Sequence, residues 1–448
     1  GKGGMPPVSP TTIAGFGVNG QPRNWGTDGR AVKPALDRLV NDLGANLFRV
    51  EIYHGASDWE TSNDDANPAT FAWSAYDRIF EGKRFTDLWN YIRYLNTLGV
   101  TEIELAAHGL VPGWLGTTAV STAMEDEYIE TLLAVLVYAT TRVPDPKPVF
   151  TMFSPWNETN LGPPEGINLT SARGVPLLRR LINRMNEIPE LAGIMIVGPE
   201  AHAESVAAEW RPALLADPVI LARLRAVSFH RYGAYPQTAE WQGVNPPMWL
   251  TEFNDWDSYC YTADWDNGLN LAMNLIGGLQ SGVTAGVVWT DYDAPHIHDN
   301  DNWETFGLLA ASYGGSSNLC TEFAPPPPSA TELDAITYAP KPTYHAMKHA
   351  ARYIQRGARL IQVTQPQAGV EVVGFRNPDN SSVVFGANVA ATATVPIRFT
   401  DAATAPSSVV PIVSTSGSYL VERAPLAVSG GTVSVSLPGS SVFTLVSR

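Results

Sequence analysis

Two stretches of this 448-residue chain end an apolar run on a carboxylate. The first is Phe150-Thr-Met-Phe-Ser-Pro-Trp156-Asn157-Glu158-Thr159-Asn160, and the second is Met248-Trp-Leu-Thr251-Glu252-Phe-Asn254. A buried strand has no packing reason to finish on a charge beside amides. A strand tip that faces a ligand does, because the strand holds the side chain rigid. Two glutamates on separate strand ends meet the requirement of acetal chemistry. One moves a proton to and from the leaving oxygen, and the other attacks the anomeric carbon or activates water. Glu158 and Glu252 are the candidate pair. A salt bridge is the bland alternative for each.

Other residues could serve this pair. Arg49, inside Leu-Phe-Arg-Val-Glu-Ile, is a buried guanidinium that must be paired. Glu51, two residues along on the same face, or another carboxylate is the structural partner. The functional reading has Arg49 keep the nucleophile ionised by proximity. His230 and Tyr232 share a face at the end of a later strand. Tyr232 is expected to donate to the nucleophile carboxylate, and His230 to touch a sugar hydroxyl. The Asn157 amide is expected to hold a sugar hydroxyl, with Trp156 extending a polar-aromatic surface. Trp289 is either a sugar-stacking floor or barrel packing.

The elements that must position these groups alternate. Strand-like runs lie at 12–19, 46–52, 102–108, up to Glu158, 194–200, 226–232, 248–254 and 286–291. Helical spacing connects most of them. Leu36, Leu39, Val40 and Leu43 mark one helix, stopped by Gly44, and Leu88, Ile92 and Leu95 mark another. Further helices are expected at 124–141, 175–186, 212–225, 264–281 and 341–355. The stretch from Tyr53 to about Glu81 reads as a long loop. This alternation predicts an α/β fold, a (β/α)8 TIM barrel, over residues 1–356. A doubly wound open sheet is the alternative, but no Gly-x-Gly-x-x-Gly fingerprint follows the first strand. From 357 to 448 short strands repeat between turns, and Val433, Val435 and Leu437 alternate with serines. That region is expected to be an all-β sandwich domain. Pro325–Pro328 reads as an extended surface loop.

Trp156-Asn157-Glu158 on the fourth strand and Thr251-Glu252-Phe253 on the seventh resemble the retaining glycoside hydrolases of clan A. Arg49, His230, Tyr232 and Trp289 match positions that this clan commonly uses. Lys341-Pro-Thr-Tyr-His-Ala-Met-Lys-His-Ala-Ala-Arg-Tyr-Ile, followed by the β region, is similar to families 30 and 39, in which a β domain packs beside the barrel. The resemblance implies that Glu158 is the acid/base and Glu252 the nucleophile. It implies retaining hydrolysis of a β-linked oligo- or polysaccharide through a glycosyl-enzyme. A barrel that binds carbohydrate without cleaving it is the other reading.

A formal net charge of -15 argues against a nucleic-acid surface. No apolar run is long enough to cross a bilayer, and a monomer is expected. The chemistry requires no cofactor or metal. The segment Asp291-Tyr-Asp293-Ala-Pro-His296-Ile-His298-Asp299-Asn-Asp301 carries mixed ligand types without a known metal spacing, and a polar rim loop accounts for it. Cys260 and Cys320, the two cysteines, sit in polar aromatic segments after the seventh and eighth strands. They are expected to form a disulfide in a secreted or extracytoplasmic protein. No secretory leader is visible. The triplets at Asn157, Asn168 and Asn380 fit a glycosylation pattern that also arises by chance.

Overall fold

In a computed structural model of the chain, the structure describes residues 9, 11–22, 25, 27–52, 59–108, 113–116, 118–163, 165–233, 238–258, 264–293, 305–312, 331 and 334–447. Cys260 and Cys320, residues 294–301 of the candidate metal segment, and the Pro325–Pro328 run lie outside the described residues.

Eight parallel strands follow one another in sequence order round a closed barrel. They are β1 (Gly15–Gly20), β2 (Leu47–Ile52), β3 (Ile103–Ala107), β4 (Met152–Ser154), β5 (Met195–Ala201), β6 (Leu224–Arg231), β7 (Met248–Phe253) and β8 (Ala285–Val288). The TIM barrel expected from the alternation is the observed fold. Its strands are buried along almost their whole length, as helices on the outside of a parallel sheet require. Two local signals act as the sequence implies. Gly44 ends its helix in the left-handed conformation, at φ 88°. Asp264 and Asn267 form a reciprocal cap at the start of Trp265–Ser281, where the spacing placed a helix.

Other expectations need correction. β4 stops at Ser154 rather than running to Glu158. Pro155 lacks the N–H that would continue the ladder. The stretch expected to be a loop up to Glu81 contains a helix, Trp73–Phe80. Its Tyr76 and Phe80 are buried, and Trp73, Tyr76 and Phe80 pack among Phe71, Phe85 and Tyr138. Aromatic burial thus outweighs the polar composition of that stretch. The helix expected from Pro212 begins at Glu204 and ends at Ala216.

Contacts divide the chain into two compact units. One comprises residues 19–36 and 47–231 and carries β2 to β6; the other holds β7, β8 and everything after them. Within the second unit, β9 (Leu309–Ser312) and β10 (Thr337–Pro340) form an antiparallel pair that was not expected. Beyond them, β11 (Arg359–Ile361), β12 (Val370–Arg376), β13 (Ser382–Asn388), β14 (Ala393–Arg398), β15 (Ser408–Thr415), β16 (Ser418–Glu422), β17 (Leu426–Ala427), β18 (Thr432–Leu437) and β19 (Ser441–Ser447) form antiparallel sheets. The larger sheet has the order β11-β12-β13-β19-β15-β16, with β17 on β15, and β14 pairs with β18. The last strand, β19, was not anticipated, yet it lies between β13 and β15. Val372, Val384, Val409, Phe443 and Leu445 of the large sheet share one core with Val395, Ile397, Val433, Val435 and Leu437 of the pair. The alternation of Val433, Val435 and Leu437 therefore marks the face that packs inward.

Candidate active site

Glu158 lies four residues past the end of β4. Its φ of 38° places a non-glycine residue in the left-handed region, a conformation that surrounding contacts must impose. Three contacts do so. The Glu158 N–H donates to the Glu200 carbonyl at 2.7 Å, and its own carbonyl accepts from the Leu161 N–H at 2.8 Å. Gly166 packs so closely that a Cβ there would stand 2.1 Å from the Glu158 carbonyl oxygen. The loop therefore depends on a glycine eight residues away.

Arg49 and Glu104 are register partners on β2 and β3. The Arg49 guanidinium is fully buried and pairs with Glu104 at 3.5 Å and Glu200 at 3.6 Å. These are the carboxylates that answer the pairing need read at Arg49, and Glu51 lies 3.5 Å from His108. Arg49 also donates to Asn19 Oδ1 at 2.9 Å and Asn157 Oδ1 at 2.6 Å. The Asn157 Nδ2 donates to the Glu165 carbonyl, so its second amide proton is the one left for a ligand. Glu200 also has a left-handed backbone, at φ 54°. It sits where the β5–β6 register shifts between Gly198 and Ala201, an irregularity that turns a side chain off the strand's regular alternation.

The charge balance of this cluster is set by burial. Desolvation would raise Glu200, but Arg49 first, then hydrogen bonds from Glu104 and His230, hold its carboxyl well below the usual range. Glu104 goes the other way: burial and the adjacent Glu200 charge push it well above that range, against the opposing pull of Arg49. One guanidinium thus stabilises one carboxylate, and the second keeps its proton and shares it with the first.

His230 is wholly buried and bridges two glutamates. Nδ1 lies 3.0 Å from Glu158 Oε1 and Nε2 lies 2.8 Å from Glu200 Oε2. The expected contact with a sugar hydroxyl is thereby corrected, because carboxylates engage both ring nitrogens. Trp156 also needs correction. It is 1% exposed and packs on Trp210 with ring centroids 6.1 Å apart, so it supports the loop from inside.

In the second unit, the Tyr232 hydroxyl donates to Glu252 Oε1 at 2.5 Å, within the range for a phenol on a carboxylate. Asn254 ties the end of β7 to β8. Its Nδ2 donates to the Trp289 carbonyl, and its Oδ1 accepts from Asp255 N and Ser258 Oγ. Trp289 is buried, and its peptide to Thr290 is cis. The Tyr232 ring meets Trp256 edge-on at 5.5 Å. Trp256 is 53% exposed, an unusual state for so large a ring.

Sequence reasoning missed Glu104, Glu200 and Trp256. Glu200 did carry a signal, since Ile194-Met-Ile-Val-Gly-Pro-Glu200 is a third apolar run that ends on a carboxylate. Trp256, in the loop that follows Glu252, was legible as an aromatic beside a candidate site.

No protein-family model and no curated protein matches the chain. Solved structures do. A glycoside hydrolase family 30 subfamily 8 xylanase from Clostridium acetobutylicum is 17% identical, with a TM-score of 0.68 over 97% of this chain and 96% of that one. A structure described as an endo-β1,6-glucanase is 12% identical, with a TM-score of 0.64 over 98% and 94%. A family 51 α-L-arabinofuranosidase from Bifidobacterium longum is 13% identical, with a TM-score of 0.58 over 98% and 96%. The chain therefore has the fold of these structures, with the β region included in the match.

Proposed function

We propose that this protein is a retaining glycoside hydrolase of β-linked oligo- or polysaccharides, with Glu252 as nucleophile and Glu158 as acid/base. The observation that carries the reading is that each glutamate has its own hydrogen-bond partner: His230 for Glu158 and Tyr232 for Glu252. A parallel barrel has one catalytic end, where its strands finish, and the fold is shared with structures described as glycoside hydrolases. One of those neighbours is described as a xylanase and the other as an endo-β1,6-glucanase, so the fold does not choose the sugar.

In the first step Glu252 attacks the anomeric carbon as the bond to the leaving oxygen breaks, and Glu158 gives that oxygen its proton. In the second, water attacks the same carbon. Its proton passes to Glu158 and the ester to Glu252 breaks. Tyr232 holds the nucleophile oxygen in place, and Trp256 offers a ring face to a sugar beside it. The roles require the two carboxyl groups to flank one glycosidic oxygen about 5–5.5 Å apart, against about 9 Å for inversion. The two cysteines belong in this reading as a disulfide of a secreted enzyme, and residues 357–448 as its β domain.

The test begins with a screen of xylans, β-glucans, mannans and aryl glycosides, α-L-arabinofuranosides included. Glu252→Gln should abolish hydrolysis of every substrate. Glu158→Ala should lower polysaccharide hydrolysis by about 10²–10⁴-fold. With a dinitrophenyl glycoside it should give a burst and a slow phase that azide accelerates. Burst and azide response in Glu252→Gln instead would reverse the roles. Binding of a polysaccharide without cleavage of any would favour the carbohydrate-binding barrel.

A further inference from the structure

A second group of carboxylates, which includes none of the candidate catalytic residues, joins the loop after β2 to the helix Glu125–Val137. Oxygens of Asp64, Glu127 and Glu130 all lie within 4.8 Å of one another. Glu130 is 0% exposed, and among the described residues no amide, hydroxyl or guanidinium donor reaches either of its carboxyl oxygens. Buried Asp64 Oδ1, Glu127 Oε2 and the adjacent Asn63 Oδ1 are likewise without a donor. Native interiors rarely leave such acceptors unmet. A proton shared between Glu127 and Glu130 would satisfy only two of these oxygens, whereas a cation among them would satisfy several at once.

Glu60, beside this group, differs in one respect. Its carboxylate accepts from Tyr76 at 3.1 Å, from Thr131 at 2.6 Å and from the Asp64 N–H at 3.3 Å. The Asp64 Oδ2 in turn accepts from the Ala72 N–H at 2.9 Å. Asp64 is therefore held by its backbone and one carboxyl oxygen, while the other oxygen has no donor among the described residues. Trp114 Nε1 donates to the Glu60 carbonyl at 2.8 Å, so a further loop rests on the same place.

We propose that Asp64, Glu127 and Glu130 bind a divalent cation of the calcium class. The donors are all oxygen and three are carboxylates, which suits a hard cation. Two oxygens on opposite sides of a calcium ion at about 2.4 Å each lie about 4.8 Å apart, so one ion reaches all three side chains. The remaining positions fall to water and to neighbours such as Asn63. Without a cation the cluster is costly. Burial, then Glu127, Asp64 and Glu60, push the Glu130 carboxyl up to about 9. Burial also pushes Glu60 up to about 7, against its three donors. A bound ion would pin the loop after β2 to the helix that leads toward β4, a bracing role independent of the proposed hydrolysis.

The test uses the full chain, stripped with chelator, and calcium chloride alone as the probe. Calorimetry should show one calcium per chain at or below millimolar affinity, and the melting temperature should rise by about 2 °C or more at saturation. Glu130→Gln should lose binding and the calcium-dependent shift, and Asp64→Asn serves if that variant does not fold. No calorimetric binding at millimolar calcium, or unchanged affinity in both variants, would overturn the proposal. Tighter binding of magnesium than of calcium would overturn the assignment to the calcium class.

Discussion

Glu104→Gln is expected to stabilise the protein at neutral pH and to leave it unchanged in acid. The reasoning starts from charge: two fully buried carboxyls, Glu104 and Glu200, face one guanidinium. Glu104 is the one raised, so it stays protonated in the folded chain at a pH where the unfolded chain has released its proton. The folded state then binds more protons than the unfolded state, and stability falls as pH rises. The slope is about 1.4 kcal/mol per pH unit above the unfolded value of about 4.3, and it ends where Glu104 itself ionises. Glutamine has the shape of the protonated acid and still donates to Glu200, but it has no proton to lose. The variant should match the parent near pH 4 and exceed it by a growing margin as pH rises from there. Glu200 works in the opposite sense. Its carboxyl is depressed, so its contribution is present above the unfolded value and is lost as pH falls through the folded one. That term is common to both proteins and cancels in the difference. Urea unfolding of both proteins across the acid-to-neutral range measures it. A destabilisation that is constant, or that grows with pH, would show that Glu104 is ionised and that the proton is misplaced.

Tyr232→Phe removes the hydrogen bond to Glu252, and kcat/KM on aryl glycosides should fall about 10- to 150-fold, as for a bond to a charged group. Gly166→Ala should lower kcat and the melting temperature together, because its Cβ would stand 2.1 Å from the Glu158 carbonyl oxygen and 2.3 Å from that of Leu161; unchanged kcat would mean that the loop yields elsewhere. Peptide mapping without reductant should find Cys260 linked to Cys320, and free thiols at both would remove the disulfide.

The barrel was legible because its signals are local. Apolar runs, helical spacing and glycine stops such as Gly44 each lie within a few neighbouring residues. The glutamates at 158 and 252 could be picked out because each breaks an apolar run. What stayed hidden depends on strand pairing or on backbone turns. Nothing near Glu104 says that its register partner is Arg49. The turn of Glu200 follows from a register shift with β6. Asp64 is far in sequence from Glu127 and Glu130, and Glu125, Asp126 and Glu127 read on their own as first-turn acids that suit the helix dipole. The last strand was missed because Ser441–Ser447 shows no alternation of burial. As a central strand it is covered on both faces, and it lacks the period-2 pattern that marks Thr432–Leu437.

The central claim is that Glu252 forms the covalent intermediate. Its most direct measurement is the reaction of the protein with a 2-deoxy-2-fluoro glycoside of the sugar that the screen identifies, followed by digestion and mass mapping. The account predicts time-dependent inactivation, with the sugar attached to the peptide that contains Glu252 and no attachment in Glu252→Gln. Attachment to Glu158, or release of an inverted product with no attachment, would contradict it.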